Sequence, residues 1–215
     1  MKSIYIFSAG SAGRETLNLI KHINLIKKTW KVISFVDKSK ILQKRKIDGL
    51  KVIDPSKIKK VKNIYAICGV MDPNTRFRIY RDEILDKKLK VPNLIHPNTN
   101  ISNISKIGKG NIIFNNVHIS YDVIIKNYSI ISNFVDLGHN ARAEDFLTIM
   151  PSAVIGGNCI IGNKVLIGSN ATILQNLKIG NNNLIGSNSL ITKSTKNNQS
   201  IINYQRQIIS KRINN

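Results

Sequence analysis

Two residues eighteen positions apart carry the densest chemistry in this chain: His139, in Leu137-Gly138-His139-Asn140, and Gly157, in Ile155-Gly156-Gly157-Asn158. An imidazole, with an intrinsic pKa of ~6.5, can take a proton from an amine or a hydroxyl near neutral pH. A glycine leaves its backbone N–H open to a ligand, and such a donor can steady a carbonyl oxygen as it gains negative charge. A base and an oxyanion donor side by side are what acyl transfer from a thioester requires. The pair works only if the fold returns to the same spot after eighteen residues.

The repeat in the second half predicts that return. From Ile95 to Lys196 the chain divides into seventeen consecutive six-residue blocks without insertion, and fifteen of them begin with Ile. The exceptions are Leu137 and Ala143. A period of six is neither the 3.6 of a helix nor the 2 of a flat strand. Position one is a large aliphatic and position five is mostly small or apolar, as in Val117, Ala153, Cys159 and Val165. Glycine recurs at position two, and glycine or Asn is expected to allow left-handed backbone at the corners. Each block supplies one short strand and one turn, and three blocks close a triangular coil. Stacked coils then pair in parallel at ~4.8 Å per step, so residue i+18 lies beside residue i.

The first ~90 residues follow a different grammar, alternating strand-like and helix-like segments. Strands are predicted at 3–7, 32–36 and 64–68, and helices at 14–28 and 74–88. The small-residue loop Ser8-Ala9-Gly10-Ser11-Ala12-Gly13 joins the first strand to the first helix. Such a pattern predicts a small parallel sheet with a crevice at its strand ends, where a helix N-terminus favours an anion. With two glycines where a dinucleotide fingerprint has three, the loop by itself reads equally as a tight turn without a ligand. The expected division is 1–94 for a Rossmann-like α/β domain, 95–196 for the prism of coils, whose hexads resemble those of hexapeptide-repeat proteins and so imply a left-handed parallel β-helix, and 197–215 for a basic tail.

Composition narrows the partners. Thirty-three Lys and Arg against twelve acids give a net charge of +21, a field that attracts anions. No helix-turn-helix pattern, aromatic-studded sheet motif or zinc-ligand spacing accompanies it, so nucleic acid is not expected. Phosphorylated small molecules fit the charge, as does simple compositional drift towards Lys, Asn and Ile. Of the four histidines, His22 falls on a predicted helix, and His96 and His118 sit at positions two and six of their blocks. No pair has the spacing of a metal site on a prism, so no metal is expected. Cys68 and Cys159 lie in apolar surroundings far apart and are read as reduced core residues of a cytoplasmic protein. No apolar run approaches the ~20 residues of a membrane span.

The order of motifs is specific. Ser-Ala-Gly-Ser-Ala-Gly-Arg-Glu after the first strand, Phe35-Val36-Asp37 after the second, Leu94-Ile95-His96-Pro97 at the junction, then Gly138-His139 and Gly156-Gly157-Asn158, resembles the sialic-acid O-acetyltransferase / bacillosamine N-acetyltransferase family. The resemblance spans roughly residues 3 to 195. It implies a homotrimer with sites between subunits, acetyl-CoA as co-substrate and a nucleotide-linked amino-sugar as acceptor. By that resemblance His139, flanked by Asn140, is the general base, and the Gly157 amide contacts the acetyl carbonyl. Ala153, Ile155, Asn158, Val165, Ser169 and Ser187 fall on the coils that would hold acetyl-CoA. Ser8, Ala9, Gly10, Ser11, Asp37 and Lys38 would surround the nucleotide-sugar, with Thr148 near the substrate.

The chain also departs from the pattern. Asn140 stands where the family has an acid; an amide can orient an imidazole but adds no charge. A weaker base is expected unless Asp136, Glu144 or a neighbouring subunit compensates. An amine tolerates a weak base better than a hydroxyl does, which favours N-acetylation over the alternative O-acetylation. Asn203-Tyr204-Gln205-Arg206 replaces the family's C-terminal motif and Ser8 its first loop glycine. A non-catalytic, sugar-nucleotide-binding β-helix scaffold is the reading from another class.

Overall fold

The computed structural model describes residues 1–58 and 63–203. The N-terminal domain contains β1 (Lys2–Phe7), α1 (Ser11–Ile26), β2 (Trp30–Val36) and the single turn α2 (Lys40–Gln43). It continues through β3 (Lys46–Ile47), β4 (Leu50–Ile53), β5 (Tyr65–Cys68) and α3 (Pro73–Ile79). Its strands run in the order β3-β4-β2-β1-β5, parallel except for the β3–β4 pair. That hairpin had no apolar alternation to announce it. It is made by Asp48-Gly49, both at positive φ (50° and 76°), the pairing a two-residue hairpin turn favours.

Helix boundaries moved for identifiable reasons. α1 starts at Ser11 rather than Arg14, because Gly10 in extended conformation can cap it with no side chain in the way. α3 is capped by Asp72, whose carboxylate accepts from the Thr75 N–H at 2.7 Å, with Pro73 in its first turn. Beyond Ile79 it loosens into a π-helical turn, Tyr80–Leu85, so the helix expected to reach Lys88 stops short. Ile4, Ile6, Phe35 and Ile67 from the sheet meet Leu17 and Ile20 of α1 in one buried cluster.

From Leu94 the chain becomes a three-faced prism of two-residue strands, with seven, six and five strands on its faces. Up to Ile191 the strands pair in parallel at a step of eighteen residues, as in the register His118↔Asp136↔Val154. Position-one and position-five side chains fill the interior, among them Ile119, Val135, Leu137, Ala153, Ile155 and Val165. Each large aliphatic there stabilises the prism by roughly 1.5–3 kcal/mol.

The corners are left-handed as expected, and of the two residue types expected there Asn supplies them far more often than glycine. The left-handed corner residue is position four, usually Asn: Asn140, Asn158 and Asn176 have φ of 60°, 59° and 65°. Asn tolerates this conformation better than most side chains because it can hydrogen-bond locally. Position-two glycines serve close approach instead. A Cβ on Gly156 would lie 2.5 Å from the Gln175 nitrogen of the next coil, and one on Gly168 would lie 2.4 Å from the Ser187 nitrogen.

The prism also outruns its predicted end. Ser200–Ile201 pairs in parallel with Leu184–Ile185, so residues beyond Lys196 form part of its seven-stranded face rather than a tail. Tyr204, Gln205 and Arg206, with the rest of the chain to 215, lie outside the described residues.

The N-terminal domain rests on the seven-stranded face, where Ile112, Phe114 and Ile130 join its core. Arg76 fastens this contact. Fully buried, it donates to the carbonyls of Val70 and Met71 in its own domain and of Tyr128, Phe146 and Leu147 in the prism, at 2.6–3.0 Å. Burial pulls its pKa down to about 10, and five carbonyl dipoles take the place of a carboxylate partner.

Candidate active site

His139 sits on the corner between the six-stranded and five-stranded faces, and its side chain is exposed. Gly157 lies directly beneath the ring: a Cβ added there would stand 2.6 Å from Nε2 and 2.7 Å from Cε1. Their backbones are locked in register, since Asn158 N donates to His139 O at 2.8 Å and Asn176 N to Gly157 O at 2.9 Å.

The Gly157 N–H itself makes no hydrogen bond among the described residues. The corner between the five-stranded and seven-stranded faces is different. There the equivalent N–H groups are capped by the side chain one coil on: Asn127 N to Asp145 Oδ1, Asn163 N to Asn181 Oδ1, Asn181 N to Asn197 Oδ1, at 2.8–2.9 Å. For Gly157 the residue one coil on is Gln175, whose side chain makes no such bond among the described residues, so the donor stays available.

No carboxylate reaches the imidazole among the described residues. Asn140 is turned away into an amide ladder, donating to Asn158 Oδ1 at 3.1 Å, and Asn158 donates in turn to Asn176 Oδ1 at 3.0 Å. Asp136 is engaged with His118, Oδ1 to Nδ1 at 2.9 Å, and Glu144 with Lys126. The two acids considered as compensators are therefore occupied elsewhere.

Several expected coenzyme contacts need correction. Ala153, Ile155 and Val165 are buried inside the prism, because positions one and five face its axis, so their side chains cannot meet a ligand on its surface. Asn158 is exposed at the His139 corner. Ser169 and Ser187 lie on the corner across the six-stranded face, half-buried and exposed respectively. Thr148 is also misread: fully buried, it donates from Oγ1 to Met71 O at 2.6 Å and ties the prism to the N-terminal domain.

The crevice lies where the strand–helix pattern placed it, at the C-terminal ends of β1 and β2. Ser8, Asp37 and Lys38 line it together with Pro55, Ile79 and Glu83, enclosing about 190 Å³. Ala9, Gly10 and Ser11 belong to the adjoining loop but not to its walls. Ser8 holds φ at 86°, and its Oγ accepts from Gly10 N at 3.2 Å. Asp37 straps the loop, its two oxygens accepting from Ala9 N and Ser39 N at 2.9 Å each. Gly13 is obligatory, since a Cβ there would fall 2.0 Å from the Ser8 carbonyl oxygen.

Glu83, which sequence reasoning missed, sets the crevice's charge. It pairs with Lys38 and Lys87 at 2.8 Å each. Burial would raise its pKa, but the two lysines outweigh that and hold it below the usual range, while the Lys38 ammonium is raised by its bond to Glu83. Its placement depends on α3 and its π-helical extension folding back over β2, which no local pattern reports.

The crevice and His139 do not meet within one chain. The crevice domain rests on the seven-stranded face, and His139 occupies the corner opposite that face. Among the described residues no group of three or more His, Cys, Asp or Glu could hold a metal ion, and no helix is long and apolar enough to cross a membrane.

Residues 144–175 and 158–193 match the family model of the bacterial transferase hexapeptide (six repeats). The match places the hexapeptide repeat of that family in residues 144–193. No curated protein sequence is similar enough to it to count as a match. Solved structures share the whole architecture. A histidine-to-asparagine mutant of perosamine N-acetyltransferase from Caulobacter crescentus, in complex with CoA and GDP-perosamine, superposes with a TM-score of 0.84 at 18% identity over 93% of each chain. The acetyltransferase domain of PglB from Neisseria gonorrhoeae, in complex with acetyl coenzyme A, gives 0.80 at 20% identity, covering 93% of this chain and 95% of that one. WeeI from Acinetobacter baumannii gives 0.83 at 18% identity, covering 94% and 97%. At these identities the likeness establishes the fold: an α/β domain followed by a left-handed parallel β-helix.

Proposed function

We propose that this protein is an acetyl-CoA-dependent N-acetyltransferase acting on a nucleotide-linked amino-deoxysugar, with His139 as general base. The observation that carries the reading is the packing of the His139 ring over Gly157, a residue whose N–H has no partner among the described residues. The similar structures bear CoA with GDP-perosamine, or acetyl coenzyme A, on the same architecture.

In the proposed reaction the acceptor nitrogen attacks the thioester carbonyl and His139 takes the proton it sheds. The Gly157 N–H steadies the oxygen as the centre becomes tetrahedral. The C–S bond then breaks, the sulfur leaves with its electron pair, and the imidazolium returns the proton to it. With no carboxylate at the imidazole among the described residues, the acceptor's own nucleophilicity matters more, which favours an amine over a hydroxyl. The nucleotide would occupy the crevice of Ser8, Asp37 and Lys38. Since that crevice and His139 lie on opposite sides of one chain, the reading needs a second copy to bring them together, as in a trimer with sites between subunits. Asn158 at one edge of the six-stranded face, with Ser169 and Ser187 at the other, would flank acetyl-CoA.

The test is thiol release from acetyl-CoA with a panel of nucleotide-linked 4-amino-4,6-dideoxysugars and their hydroxyl counterparts. Turnover should appear with the amines and vanish in His139→Ala. Full turnover in that variant would remove the base assignment, and turnover confined to hydroxyl sugars would make the protein an O-acetyltransferase.

A further inference from the structure

The strand-start end of the N-terminal sheet presents a surface of one sign with aliphatic side chains standing out of it. Lys2 opens β1, and Lys31 in β2 pairs with the next residue, Ser3, so the two lysines stand at the same strand ends on opposite faces of the sheet. Lys27 and Lys28 follow the end of α1, next to the Lys2 backbone, which donates to Thr29 O at 2.7 Å. Lys90 completes the group at the start of β5, with Lys2 and Lys90 ammonium groups 5.5 and 5.9 Å from the Tyr65 ring centre. None of these five lysines forms an ion pair among the described residues. No Asp or Glu occurs between Glu15 and Asp37, or between Asp86 and Asp122.

The aliphatic part is the last turn of α1. Leu17, Leu19 and Ile20 of that helix are buried, but Leu25 and Ile26 run past the core and are 80% and 77% exposed, with Met1 74% exposed on the same end. Leu25 and Ile26 immediately precede Lys27-Lys28. An anionic lipid surface uses both features. Its headgroups attract the lysines, and aliphatic side chains with lysine stems enter the headgroup–acyl boundary. A nucleic acid would use only the charge, since its bases reward aromatic platforms. Here Trp30 is buried and Tyr65 is covered by Lys2 and Lys90.

Orientation fits as well. The crevice lies at the other end of the same strands, about 20 Å away for a six-residue strand. Docking through the strand-start end leaves it open. We infer that this face docks the protein peripherally on an anionic bilayer, with Lys2, Lys27, Lys28, Lys31 and Lys90 against headgroups and Met1, Leu25 and Ile26 at the acyl boundary. The inference does not depend on acetyl transfer.

The experiment is co-sedimentation of the full chain with phosphatidylcholine vesicles, with and without phosphatidylserine, at low and physiological salt. Binding should require phosphatidylserine and weaken as salt rises. Lys27→Gln/Lys28→Gln/Lys31→Gln should lower partitioning about 100-fold, at about fivefold per lysine. Leu25→Ser/Ile26→Ser, which leaves charge unchanged, should lower it about tenfold or more. Lys106→Gln/Lys109→Gln/Lys193→Gln removes the same charge from the prism and should change it little. Absence of phosphatidylserine-dependent binding, equal loss in the prism control, or wild-type binding by the Leu25/Ile26 variant would each overturn the inference. So would binding of DNA, but not vesicles, that is lost in the lysine variant. Thiol release from acetyl-CoA in solution should be unaffected by any of these variants, which keeps this test separate from that of the transferase reading.

Discussion

Replacing Gly157 with alanine isolates the geometry of the proposed site from its stability. The added Cβ would stand 2.6, 2.7 and 3.0 Å from His139 Nε2, Cε1 and Cδ2, where ordinary contact is 3.4–4 Å. The imidazole must therefore retreat by about 1 Å, and being exposed it can do so without disturbing the core. Gly157 is not among the glycines at positive φ, so alanine meets no backbone penalty and retains the N–H donor. Alanine for glycine at a compatible position even stabilises a fold by about 0.4–1 kcal/mol through the unfolded chain. A 1 Å misplacement of a catalytic group costs on the order of 100-fold, or about 2.7 kcal/mol of activation free energy. Gly157→Ala should thus lose about 100-fold in kcat while its melting temperature stays within a few degrees of the parent. Steady-state thiol release and calorimetry on the same preparation make the measurement. Undiminished kcat would refute the pairing of His139 with the Gly157 amide, and a collapsed melting transition would refute the claim that only the ring yields.

Four further outcomes follow from named contacts. Arg76→Met leaves the buried carbonyls of Val70, Tyr128 and Phe146 without a donor, while Met71 O keeps Thr148 and Leu147 O keeps Ile130, and should cost roughly 3–5 kcal/mol; amide exchange at Tyr128 and Phe146 should accelerate, and an unchanged denaturation midpoint would contradict it. Asn140→Asp removes the rung to Asn158, so about 1 kcal/mol of stability should be lost with no gain in kcat at neutral pH; a tenfold gain would mean the carboxylate turns to His139 after all. Burial, and then the His22 ring 3.0 Å away, hold His96 below its ordinary pKa of 6.5. The unfolded chain therefore binds the extra proton first, and this contribution to stability is full above pH 6.5 and lost as pH falls towards the folded value; the difference in denaturant midpoint between the parent and His96→Asn should shrink from pH 7 to 5, and a constant difference would refute it. Burial raises the thiols of Cys68, to about 12, and of Cys159; neither should react with a thiol reagent before unfolding, and both should react after it.

What the sequence determined by itself was whatever repeats or lies close along the chain. The hexad encodes its own geometry: a strict period with an inward aliphatic makes residue i+18 a neighbour of residue i wherever the prism stands, so Gly157 could be placed against His139 from spacing alone. The strand–loop–helix run from Ser3 likewise located the crevice, since Gly13 and Ser8 meet within a few residues. The turning of Asn140 into an amide ladder was not legible, because it depends on which side chain stands one coil away and on the left-handed backbone there. Tertiary structure alone decided the rest. Glu83 enters the crevice because the helical segment after β5 folds back across β2, and Arg76 reaches carbonyls fifty to seventy residues away. Thr148 is closed off for a related reason: the N-terminal domain settles on one of three chemically similar faces. Periodicity makes the faces alike, so only the docking of the first domain distinguishes them. That docking, on the face opposite His139, separates the crevice from the base within one chain.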